Sequence, residues 1–157
     1  MTEWLIIDGY NLIHRLFAGE AKGDLARLRK ALLARLEPLQ NVMARKITVV
    51  FDGCLQSPPD NPPESEIIEV VFARAGVTAD SVIENIVWHA ECPDKILVVT
   101  SDRLERDAVG ASGAESMAAS IFISMLHEQS RNLTSRIDKF NQSREKITLG
   151  DFFPKPP

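Results

Sequence analysis

In "WLIIDGYNLI", residues 4–13, four apolar residues run straight into Asp8, Gly9 and Asn11. The pattern recurs, with "KITVVFD" ending on Asp52 and "KILVVTSD" ending on Ser101 and Asp102. In "TADSVIE", Asp80 and Glu84 stand four apart, so a helix there carries both carboxylates on one face. If these ends share one rim, the acids converge, and converging acids repel. A like-charged pair about 4 Å apart costs on the order of 4 kcal/mol at an effective dielectric near 20. Either some of them hold protons or a divalent cation sits among them. Oxygen ligands with no histidine or cysteine at ligand spacing favour Mg²⁺ or Mn²⁺ over zinc. Such an ion suits attack of water on a phosphodiester, so the expected chemistry is phosphodiester hydrolysis.

The elements that must position these acids follow from the hydrophobic pattern. "WLIID" (4–8), "KITVVFD" (46–52), "EIIEVVF" (66–72) and "KILVVTSD" (95–102) are short, β-branched and almost continuously apolar. Strands buried on both faces of a parallel sheet read this way. Leu25, Leu28, Leu32, Leu36, Leu39 and Met43 recur at spacings of three and four, which predicts a crossover helix bent near Pro38. "TADSVIENIVWHA" opens a helix with Thr78 as N-cap. Met117, Ile121, Phe122, Met125 and Leu126 predict a further helix, and Leu133, Ile137 and Phe140 another. The four prolines of residues 55–65 predict an exposed loop, and 146–157 a loose tail after a domain spanning 1–145. The order β, α, β, loop, β, α, β, α, α implies a doubly wound α/β domain, whose sites form beyond the carboxyl ends of the strands. Asp8, Asp52 and Asp102 then share one rim.

Composition narrows the class. With 157 residues, 45% of them apolar, the chain suits one globular domain. Its longest apolar stretches fall far below the roughly 18 residues of a membrane span, and it opens without a secretory pattern. A soluble cytoplasmic protein with no membrane partner is expected. Cys54 and Cys92 stand alone and read as buried or incidental thiols. Residues 15–46 carry eight basic residues against three acids, whereas 47–110 carry twelve acids against four basic residues. That is an acidic centre with basic surfaces beside it.

"IIDGYNLI", "VVFDG", "TADSVIE" and "VVTSD", in that order, resemble the YacP-like branch of the NYN domains, relatives of the PIN nucleases. The resemblance covers roughly residues 4–125 and implies a PIN-like Rossmannoid fold: a mostly parallel sheet of four to five strands flanked by helices. It also implies a Mg²⁺- or Mn²⁺-dependent endoribonuclease; one branch of the family cuts messenger RNA on the ribosome. By resemblance, Asp8, Asp80 and Asp102 are the metal ligands, and Asn11, Asp52, Glu84 and Ser101 complete the site by orienting ligands or water. Basic side chains of the first long helix (Arg27, Lys30) and of the C-terminal helices (Arg131, Arg136) are expected to steer a single-stranded RNA.

Singly, each acid has a structural alternative. Asp8 before Gly9 can shape a turn, Asn11 can cap a helix, Asp80 can complement a helix dipole, and Ser101 with Asp102 can cap "RLERDAV". Other classes fit less well. A receiver-type phosphotransfer domain needs a lysine after its last strand, and a haloacid-dehalogenase-like phosphatase needs an aspartate where Tyr10 stands. A non-catalytic RNA- or ribosome-binding module on the same fold is the remaining alternative.

Overall fold

In a computed structural model, residues 2–20, 24–53 and 64–145 are described, the side chains of 143–145 excepted. Most of the proline-rich loop, Cys54 and the C-terminal tail lie outside these residues. The chain forms two compact units, 1–123 and 124–157.

The first unit holds β1 (Thr2–Asp8), α1 (Gly9–Leu16), α2 (Leu25–Leu36), β2 (Ala44–Phe51), β3 (Glu69–Phe72), α3 (Ala79–Trp88), β4 (Ile96–Val99), α4 (Arg103–Ala111) and β5 (Glu115–Met117). All five strands are parallel, in the order β3-β2-β1-β4-β5. The chain therefore builds outward from β1 to β3, then returns to place β4 on the other side of β1. That reversal opens a crevice between β1 and β4, where open α/β sheets bind ligands. Register fixes the rim: Asp8 lies level with Val50 of β2, and Ile7 with Val99 of β4.

Alternation along the strands assigns the layers. Ile6, Val50 and Val98 pack with Ala79, Ile83 and Val87 of α3 and with Val109 of α4. The intervening Phe51 turns to the other face, where it meets Tyr10 of α1 and Arg29 of α2. The buried stripe of α2 is Leu28, Leu32, Leu33 and Leu36.

Several elements differ from the sequence reading. The crossover helix stops at Leu36. Pro38 starts a single 3-10 turn, Glu37–Leu39, and Asn41 adopts a positive φ of 63°, so Met43 lies outside the helix. The third strand begins at Glu69 rather than residue 66, because the Ser65 hydroxyl accepts the Ile67 and Ile68 amides in a turn. Glu115–Met117 is a fifth, edge strand beside β4 and not the start of a helix. The two helices expected after it are one, α5 (Ala119–Glu145). Its portion in the second unit carries the expected stripe of Leu133, Ile137 and Phe140, which is largely exposed. Among the described residues, no helix is long and apolar enough to cross a membrane. Cys92 is a free, exposed thiol.

Gly9 is required by packing. A Cβ there would fall 2.2 Å from the Phe51 ring, which is fully buried and stacked against Phe72. Gly9→Ala should lower stability by about 1–3 kcal/mol, visible as a reduced Tm in thermal denaturation. An unchanged Tm would mean that the ring has room to move.

Candidate metal centre

Three acids meet at the crevice. Carboxylate oxygens of Asp8, Asp80 and Glu105 lie within 4.8 Å of one another. Asp8 closes β1 and caps α1, its Oδ1 accepting the Asn11 amide at 3.4 Å. Asp80 sits in the first turn of α3, and Glu105 in the first turn of α4. Asp8 is 8% exposed and Glu105 only 2%. Neither Glu105 carboxylate oxygen has a well-formed hydrogen bond among the described residues. A buried, unpaired carboxylate is costly, and here it faces two more carboxylates.

The surrounding residues brace this triad. Asp52, just beyond β2, accepts the Ala79 amide at 2.7 Å, while Thr78 accepts the Ser81 amide at 3.2 Å. Together they cap α3 and fix the turn that carries Asp80. Asn11 Oδ1 accepts the Ser101 amide at 3.1 Å, tying α1 to the segment after β4. Asp102 is the N-cap of α4, accepting the Leu104 and Glu105 amides at 2.9 and 3.5 Å. Its own amide donates to the Thr100 hydroxyl at 3.2 Å. The Ser101 hydroxyl is buried with no partner among the described residues.

Electrostatics follow from this geometry. Burial first, then the charges of Asp80 and Asp52, push the Asp8 carboxyl up to about 7 against the opposing Asn11 amide. Burial again leads at Glu105, joined by the charges of Asp80 and Asp8; they raise it to about 8 despite the Thr100 hydroxyl, which favours the ionised form. The same arrangement answers whether an ion fits: an all-oxygen donor set that repels itself, with two of its three carboxylates buried, suits Mg²⁺ or Mn²⁺.

Of the sequence-derived residues, the fold brings Asp8 and Asp80 into the cluster. Asp52, Asn11, Ser101 and Asp102 stand around it as caps and braces. Glu84 is exposed one turn beyond Asp80 on α3. Glu105 was not singled out in the sequence, although it stands three residues after Asp102 and so follows an N-cap into the helix. Arg27 is exposed and paired with Glu20, Lys30 is exposed, and Arg131 and Arg136 are exposed within the second unit. Arg29 turns inward instead, bonding Glu64 and the Tyr10 hydroxyl over Phe51 and Phe72.

A parallel five-stranded sheet with acids at its switch point is the architecture of the PIN-like, nuclease-type α/β domains. The chain belongs to the YacP-like NYN domain family, whose model matches residues 5–152. It is 25% identical over 152 residues to the uncharacterized protein YacP of Bacillus subtilis, an alignment covering 94% of this chain and 89% of that one. It is similar to the crystal structure of Rae1 (YacP) from the same organism, with a TM-score of 0.75, 25% identity and coverage of 92% and 84%. A point variant of that protein gives a TM-score of 0.70 at 25% identity, covering 88% and 83%. The fold is thus nuclease-like and RNA-related, of the hydrolase kind.

Proposed function

We propose that the protein is a Mg²⁺- or Mn²⁺-dependent endoribonuclease acting on single-stranded RNA. The observation that carries this reading is the convergence of Asp8, Asp80 and Glu105, with the Glu105 carboxylate buried against the other two acids. These three residues would hold the ion. When bound, a divalent cation supplies Lewis-acid activation of water and of the phosphodiester oxygens.

The chain's own groups do the rest. Asp52 and Thr78 keep the first turn of α3 in place, and Asp102 does the same for α4, so the backbone positions that carry Asp80 and Glu105 are fixed beside Asp8. Asn11 holds the Ser101 segment against α1, and the Ser101 hydroxyl is buried beside the acids with no partner among the described residues. Burial of Asp8 and Glu105 makes their charged forms expensive until a cation is present. Arg27, Lys30, Arg131 and Arg136 draw in RNA through its phosphates.

The test is cleavage of a single-stranded RNA with Mn²⁺, with and without ribosomes to separate free from ribosome-bound messenger RNA. Cleavage should stop in EDTA and in Asp80→Asn. Turnover that survives both would sink the mechanism.

A further inference from the structure

Beyond the acids, α3 and α4 border a groove that the chemistry above does not use. It encloses about 340 Å³ and is lined by Ser81, Glu84, Asn85 and Trp88 of α3, with Ala108 and Ser112 at the α4 side. The two helices that bound it are the ones that present Asp80 and Glu105. Asp80, Glu84 and Trp88 are spaced i, i+4, i+8, so they form one stripe along α3, and eight residues span about 12 Å. Trp88 is 75% exposed, unusual for the largest apolar side chain, and it ends the helix. Around it stand groups suited to a polar edge. The Asn85 side-chain amide is exposed. The Ser112 hydroxyl donates to the Ala108 carbonyl at 3.3 Å and keeps its lone pairs. Among the described residues the Ser81 hydroxyl pairs with the Thr78 hydroxyl, and the Glu84 carboxylate is exposed.

We infer that this groove is a nucleobase subsite, in which the Trp88 indole stacks on a base of the RNA and Glu84 and Asn85 meet that base's hydrogen-bonding edge. The inference rests on the endoribonuclease reading for its ligand. The Asp80–Glu84–Trp88 stripe links the two places, since it runs along α3 from the acid cluster to residues that line the groove. The Glu84 charge repels phosphate but accepts from amino or imino groups, so the groove admits the base and excludes the backbone. An indole face serves every base, because each has a π-face, and the stacking is therefore tolerant of sequence.

The probe is a labelled single-stranded hexaribonucleotide in Mg²⁺, titrated into the full-length wild type if it does not cleave, or into Asp80→Asn if it does. RNA should quench indole emission. Trp4, the second tryptophan, lies at the opposite end of β1 with its indole N–H held by Thr48, so the quench belongs to Trp88. Trp88→Ala should weaken binding roughly 5- to 100-fold. Trp88→Phe should keep affinity within about threefold and lose the quench, since a phenyl ring still stacks. Both should melt as the parent does, because the side chain is exposed. Equal affinity of Trp88→Ala and parent, absence of the quench, or no binding of the probe overturns the inference. Quench and weakening without any cleavage by wild type would retain the subsite and discard the catalytic reading. Metal-dependent cleavage with unaltered kcat/KM in Trp88→Ala would do the reverse.

Discussion

Glu105→Gln should slow metal-dependent RNA cleavage by roughly 10²–10³-fold or more, while Asp102→Asn should retain activity within about tenfold. The contrast follows from what each carboxylate touches. Glu105 is one of three acids whose oxygens converge within 4.8 Å, and its amide would leave the ion one anionic ligand short. Asp102 spends its Oδ1 on the first amides of α4, a task that asparagine performs about as well as aspartate. Asp102→Ala, by comparison, should cost about 1 kcal/mol of stability through the lost cap, with a smaller effect on turnover. The pair also controls for folding, because Glu105→Gln puts a neutral side chain of the same shape where burial already keeps the carboxyl protonated below about pH 8, and should not destabilise. Loss of cleavage in Asp102→Asn with near-normal rates in Glu105→Gln would move the third ligand to Asp102.

That contrast marks where sequence reading succeeds and where it stops. Runs such as "WLIID" and "KITVVFD" announce buried parallel strands because nothing else buries consecutive β-branched residues so economically, and a strand's last residue names the rim. Asp8 and Asp52 were therefore legible. Asp80 was legible because Thr78 marks the helix start two residues earlier. Glu105 was not, because its position depends on where α4 begins. With Asp102 taken as a ligand the helix start went unused; with Asp102 as the cap, Glu105 falls in the first turn and meets Asp8 and Asp80. Arg29 shows the same limit: neighbours at 27 and 30 are exposed, and only the tertiary packing of Phe51 and Phe72 turns the intervening arginine inward. The fifth strand was hidden by length, since three residues cannot show a period.

The metal-free protein should lose stability as pH rises from about 5 to about 8.5, and Mn²⁺ should restore it only at the upper end. Both relevant groups are acids whose folded pKa is raised: Asp8 from 3.8 to about 7 and Glu105 from 4.5 to about 8. Below the unfolded values, both states are protonated and the pH has no leverage. Between those values and the folded ones, the native state holds more protons than the unfolded chain, so stability falls with each increment of pH. Above about 8 the loss is complete and amounts to a few kcal/mol, shared between two interacting sites. A divalent cation reverses the sign because it binds the ionised carboxylates. Its affinity should rise through the same window as it displaces their protons, adding RT ln(1 + [L]/Kd) to stability. Melting curves at pH 5.5, 7 and 8.5, with and without Mn²⁺, test this directly. Glu105→Gln should flatten the pH dependence, melt higher than wild type at pH 8.5 without metal, and lose most of the Mn²⁺ response. A Tm that climbs across the window in the absence of metal, or a Mn²⁺ shift as large at pH 5.5 as at 8.5, would show that these carboxylates are not the groups that hold the ion.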